Sequence, residues 1–326
     1  MQPSPRSTPH SSSHFVPRLT PRRLHAYGWL LLNVLAFGAT FPIIKWGLPD
    51  TTPFRFLFYR FAIAALLAVP ILWRSRSVFK KHRQLLGAIA LLEFVGTTIS
   101  LSVLYVGMRS TSAIQTGLIS STGPVFLTVS AIIFLKERVT KREWAGLILA
   151  CAATILLVIL PLFSARSNVG SGNFFGSALV FSQGIILIGY GLCIKKVYHH
   201  VPKILTTCVG VMVGLFSFAA LSLWEAGQPW QLVAAVQHDL THVSVWVIAL
   251  FAAVVTSLIG QTAYMKGQDL IEVSEATLFG YLQTLVYVPL SLILLGEKIN
   301  LIQVICFGFI LIGVFLAECK VRRTAR

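Results

Sequence analysis

Arg60 and Glu93 lie well inside long apolar runs of this 326-residue chain, where a charge has little water around it. On insertion scales an ionisable group at the middle of a bilayer costs about 2.5–3.5 kcal/mol, so such groups turn toward a cavity or a partner. Arg60 falls roughly 9 Å below one end of its run and Glu93 about 12 Å from the opposite end, at about 1.5 Å per helical residue. In a hydrocarbon core of roughly 30 Å this leaves about 9 Å of height between them, a gap that extended side chains nearly bridge. Three readings stay open: a structural ion pair, a site that binds a solute or moves a proton, and side chains snorkelling to opposite interfaces.

Uncharged polar residues inside the runs form a second constellation: Asn33, Thr40, Gln115, Thr116, Gln183, Tyr190, Gln261, Tyr264, Tyr281 and Gln283. Amides and hydroxyls suit the orientation of a small polar solute in a mostly apolar cavity. They also make interhelical hydrogen bonds, worth about 0.6 kcal/mol on average. Their recurrence in both halves of the chain favours a cavity. Pro42, Pro124 and Pro289 each remove a backbone donor inside a run, which permits a kink that can act as a hinge, although proline is common in membrane helices without a special role. Gly210 and Gly214 form a GxxxG and read as close helix packing.

The elements that position these residues are set by composition. The chain is 56% hydrophobic and 12% charged, against about 25% charged in a soluble domain, and its mean hydropathy is +0.78. Its apolar residues collect in runs near 29 to 46, 54 to 73, 85 to 108, 113 to 135, 144 to 163, 174 to 194, 204 to 224, 243 to 264, 276 to 295 and 301 to 318. Runs of about 20 residues span a bilayer as α-helices, whereas barrel strands would alternate over about ten. Trp29, Trp46, Trp73, Trp144, Trp224 and Trp246 stand at ends of these runs, at the depth where indole prefers to lie. The expected fold is therefore an all-α integral membrane protein of ten transmembrane helices, with a disordered tail at 1–28 and a short basic tail at 319–326.

Most of the 27 Lys and Arg residues fall in the two tails and in the connections after the second, fourth, sixth and eighth runs. The formal net charge of +16 is thus a topology signal that puts both termini in the cytoplasm, and no nucleic-acid partner is expected. An acid-free, Ser/Arg-rich start also has the look of an organellar transit peptide, but the cell (plasma or inner) membrane is the expected location. Cys151, Cys193, Cys208, Cys306 and Cys319 show no metal spacing and read as reduced. His238 and His242 could share a helix face around a metal, but with Asp239 they read as solvated loop residues, so no metal or cofactor is expected. No Walker A sequence and no TVGYG-like filter occur, which argues against an ATP-driven pump and a potassium channel.

A weak internal duplication is visible. Leu135-Lys136-Glu137-Arg138-Val139-Thr140 matches Leu295-Gly296-Glu297-Lys298-Ile299-Asn300, and Lys45 with Pro53 matches Lys195 with Pro202. Residues 29–163 therefore resemble 174–318. Five spans per copy is odd, so the second copy enters the membrane upside down, a construction common in secondary transporters. With Gly38 to Lys45, Arg60, Ser112-Ala113, Pro124 thirteen residues before Glu137, and the two Leu-x-Glu closures, the chain resembles the EamA family of the drug/metabolite transporter superfamily. In that family the fourth-helix proline is often repeated in the ninth helix, where Thr284 stands here and Pro289 is displaced by five residues. The resemblance implies a non-enzymatic secondary transporter of amino acids or related metabolites, often an exporter, working by alternating access; a homodimer is open. A membrane enzyme acting on a lipid, or a non-transporting sensor or scaffold, are the competing classes.

Overall fold

A computed structural model describes residues 21–74, 77, 82–123, 141–163, 173–198, 203–271 and 279–318, and every regular element among them is a helix. In chain order these are α1 (Pro21–Gly38), α2 (Thr40–Gly47), α3 (Pro53–Arg74), α4 (Leu86–Glu93), α5 (Ser100–Ser110), α6 (Ala113–Ser120) and α7 (Lys141–Phe163). The second part has α8 (Phe174–Tyr198), α9 (Lys203–Ala226), α10 (Pro229–Thr241), α11 (Val243–Leu250), α12 (Gln261–Gln268), α13 (Thr284–Leu295) and α14 (Leu301–Glu318). A π-helical segment, Phe94–Ile99, joins α4 to α5, and another, Phe251–Gly260, joins α11 to α12.

Seven continuous helical stretches among the described residues are long and apolar enough to cross a membrane: Arg23–Asp50, Pro53–Pro70, Leu86–Ser110, Trp144–Leu162, Phe174–Gly191, Leu205–Ala226 and Val243–Gln268. Phe279–Leu295 and Leu301–Gly313 are shorter apolar helices. The run expected at 113–135 begins as α6 and passes into residues outside those described. Large apolar side chains such as Leu66, Val69, Leu91, Phe216, Ile293 and Phe315 are exposed, as a bilayer solvent requires. Inside, Asn33, Gln115, Asp239 and Gln303 are buried with Phe56, Ile44 and Leu157.

The helices pack α14 on α7, α8 on α5, α9 on α3, α1 on α12, and α13 on α2. Where α5 meets α8, Gly107 and Gly176 face one another, and a Cβ on Gly107 would lie 2.8 Å from the Gly176 carbonyl oxygen. Gly296, at φ 62°, turns the chain out of α13 and aims Glu297 at the start of α6. Two expectations are corrected here. The first helix begins at Pro21, so residues 21–28 are helical and not part of a disordered tail. The stretch around His238 is the helix α10 and not a loop. Cys151, Cys193, Cys208 and Cys306 are free thiols, and Cys319 lies outside the described residues.

Candidate solute-binding site

Glu93 closes α4 just where the helix widens into the π segment Phe94–Ile99, and it is 5% exposed. Tyr190 on α8 donates its hydroxyl to Oε1 at 2.9 Å, and Thr97 donates to Oε2 at 3.2 Å. Helix α9 comes close enough that a Cβ on Gly210 would lie 2.5 Å from Oε2. One turn later Gly214 leaves space for the ring of Phe61, with a Cβ there 2.6 Å from it. The GxxxG is thus a close-packing motif, and what it admits at Gly210 is a carboxylate. Gly96 plays the same part for the ring of Tyr190.

Arg60 on α3 is half-buried and points elsewhere. It donates from Nη1 to the Tyr105 hydroxyl at 3.2 Å and from Nη2 to Ser257 Oγ at 3.0 Å, with its guanidinium 5.8 Å from the Phe61 ring centroid. Ser257 belongs to the second π segment and donates in turn to the Ala252 carbonyl, five residues back, in the register of that wider winding. The ion pair that depth alone allowed between Arg60 and Glu93 is not formed; Asp239 instead pairs with Arg55. Depth alone left the two within reach of extended side chains, but each side chain turns to other partners.

A third set lies between α1, the first residue of α2, the second π segment and the start of α13. Asn33 donates to the Gly260 carbonyl at 3.0 Å and accepts from Gln283 at 3.5 Å, and the hydroxyls of Thr40 and Thr256 meet at 3.1 Å. Gln183 donates to Ser100 at 3.3 Å. Tyr281 is buried, Tyr264 half-buried and Gln261 exposed.

Gln115 is placed differently. It is fully buried, donates to the Leu157 carbonyl and accepts from Gln303 at 2.9 Å, so it ties α6 to α7 and α14 in a packing contact. Thr116 is also buried and returns its hydroxyl to the Ser112 carbonyl at 2.9 Å. Pro42 is buried in α2, Pro289 is exposed on α13, and Pro124 lies outside the described residues.

One end of the bundle gathers a further polar network. Lys45 donates to the carbonyls of Met108, Arg109 and Thr111 at 2.6, 3.0 and 2.7 Å, closing the end of α5. Glu297 accepts from the Ala113 and Ile114 amides at 2.6 and 2.9 Å, capping α6 beside the N-cap Ser112. Burial raises the Glu297 carboxyl above its usual value, with these two amides and Lys45 pulling the other way. Asp239 is completely buried and accepts from Thr51, Arg55 and Tyr59. This corrects the reading of Asp239 as a solvated residue: α10 is amphipathic and turns it inward, leaving His238 exposed. Among the described residues no cluster of three or more His, Cys, Asp or Glu could hold a metal.

Tyr105, Thr256, Ser257 and Gln303 were not singled out from sequence. Thr256 and Ser257 carried the same signal as Thr40, a polar pair inside an apolar run, and could have been found that way.

The model of the EamA-like transporter family matches this chain twice, over residues 24–159 and 174–318. The chain is 24% identical over 302 residues to the uncharacterized transporter YyaM of Bacillus subtilis (strain 168), covering 92% of this chain and 96% of that one. It is 23% identical over 295 residues to an uncharacterized transporter of Archaeoglobus fulgidus, covering 89% and 98% of the two chains. A second Archaeoglobus fulgidus transporter is 31% identical over 171 residues, about half of each chain.

Proposed function

This chain belongs to the EamA-like transporter family and is a multi-pass membrane transporter, and from that premise we propose that it carries a small zwitterionic metabolite, an amino acid or close relative, by alternating access. The carrying observation is that Glu93 and Arg60, both inside spans, are held by hydroxyl groups and do not neutralise one another. An uncompensated charge in a low-dielectric interior is costly, and a ligand of opposite charge relieves that cost. A zwitterion brings an ammonium group for Glu93 and a carboxylate for the planar guanidinium fork of Arg60. Tyr190, Thr97, Tyr105 and Ser257 are neutral partners that can yield to it, and Asn33, Gln283, Thr40 and Thr256 supply further polar lining.

Two inverted five-helix halves, 29–163 and 174–318, are the architecture this reading uses. Its support is that packing contacts come in matched pairs. The contact of α8 with α5 has its counterpart in that of α1 with α12, and α6 with α8 in α13 with α2. The pairs α3–α9 and α7–α14 each join corresponding spans to one another. The π segments also fall in corresponding spans, the third and the eighth. The Lys/Arg-rich connections support a cytoplasmic side for both termini, and on that reading the end that holds Asp239 faces outward.

Purified protein in liposomes, supplied with labelled amino acids and with the matching amines and carboxylic acids, tests the cargo. Saturable flux of zwitterions, lost in both Glu93→Gln and Arg60→Gln at unchanged folding, is the expected result. Equal flux of the amine or the acid alone overturns it.

A further inference from the structure

The geometry points to Asp239 as the residue on which the outward end of the bundle closes, an inference that rests on the alternating access proposed above. Asp239 sits on α10 with no exposed surface and collects Thr51 Oγ1 at 2.6 Å, Arg55 Nε at 2.8 Å and Tyr59 OH at 2.9 Å. Alongside it Thr52 donates to Glu225 at 2.6 Å, and Ser244 donates to Asp50. Each of these bonds joins residues 50–59, in the first stretch matched by the family model, to residues 225–244, in the second. Not one lies within a single stretch.

Halves that rock against each other must therefore break this set together and bring Asp239 into water. A buried carboxylate with an ion pair and two hydroxyl donors is stable only when all are in place, so the contact has two discrete states, made and unmade. Contacts between the halves at the opposite end include Lys266 over Trp29 at 4.4 Å, Tyr27 beside Phe279 at 5.3 Å and the close approach of Gly267 to Leu30. The gate is also wired to the solute site. Tyr59, held by Asp239, is the neighbour of Arg60 on α3, so making or unmaking the contact shifts the turn that presents the guanidinium.

Thr52→Cys with Glu225→Cys, in the full chain with its five native cysteines replaced by alanine, tests this in liposomes. Oxidation joins the two halves across the contact. Flux is expected to fall at least tenfold on crosslinking and to recover on reduction, because a locked gate stops the cycle, whereas a static packing contact tolerates the bond. Adding Asp239→Asn is expected to lower the crosslinking yield at least fivefold by favouring the unmade state. Flux that survives a complete crosslink, or a yield unchanged by Asp239→Asn, overturns the gate and leaves the cargo assignment standing. Absence of saturable amino-acid flux in the reduced protein overturns the transport cycle itself and the gate with it.

Discussion

Tyr190→Phe removes the hydroxyl that reaches Glu93 Oε1 at 2.9 Å and leaves the carboxylate to Thr97 at 3.2 Å. A hydrogen bond to a charged group contributes about 1.5–3 kcal/mol, and one between neutral groups about 0.5–1.5. With Glu93 ionised, Tyr190→Phe should therefore cost about 2 kcal/mol; after Glu93→Gln the same change should cost about 1. The difference, about 1 kcal/mol, is the coupling energy of a double-mutant cycle. Arg60 shares no hydrogen-bond partner with Glu93, so the cycle joining Arg60→Gln to Glu93→Gln should be additive within about 0.5 kcal/mol. Reversible unfolding in mixed micelles, followed by tryptophan fluorescence, gives both cycles from one set of proteins. Coupling above about 1 kcal/mol between Arg60 and Glu93 would show that the two charges compensate each other and would remove the basis for a zwitterion site.

Glu297 satisfies two of the amides left open at the start of α6, so Glu297→Ala should lower unfolding free energy by about 1–3 kcal/mol in the same micelle assay. Because burial raises its carboxyl, the folded chain holds that proton more tightly than the unfolded one. The stability it contributes is full below the unfolded value near 4.5 and drains as pH climbs through the raised folded value, and Glu297→Gln should flatten that stretch of the stability–pH curve. Gly210→Ala places a methyl 2.5 Å from Glu93 Oε2 and should cost about 1–3 kcal/mol with loss of flux, while Gly28→Ala, which meets nothing within 4 Å, should be neutral or stabilising by up to about 1 kcal/mol. Lys45→Met strips three carbonyls at the end of α5 of their donor, and a fall of about 2 kcal/mol or more in unfolding free energy is expected. An unchanged midpoint would show that water replaces the ammonium there.

Membrane spans were readable from the chain because hydrocarbon thickness sets a run length that composition either meets or does not. The residues with polar side chains in those runs were readable for the same reason, since each stands out against its neighbours. Partners were a different matter. Gln115 looks like Gln183 in the sequence, yet it is locked to Leu157 and Gln303, because its partner stands at the start of another helix, where a polar residue attracts no notice. Asp239 was misjudged for a related reason. In a polar connection an acid reads as solvated, and only the amphipathic winding of α10 against Arg55 and Tyr59 buries it.

Arg60 and Glu93 fail to meet for a reason tied to the site itself. A π segment adds a residue to the turn, and one added residue rotates everything beyond it by about 100° relative to the period of an α-helix. Glu93 precedes Phe94–Ile99, so it and Tyr105, on the far side of that segment, are not related by the regular period from which faces are read. Tyr105 turns to Arg60, and Glu93 turns to Tyr190 and Gly210. The second π segment brings Ser257 to Arg60 and leaves the Gly260 carbonyl to Asn33. Wide turns loosen the ordinary backbone ladder, and a helix under selection for stability alone would be expected to lose them. In this structure the two segments lie beside charges that face hydroxyls, Glu93 toward Tyr190 and Thr97 and Arg60 toward Tyr105 and Ser257, and the proposed zwitterion site depends on that arrangement.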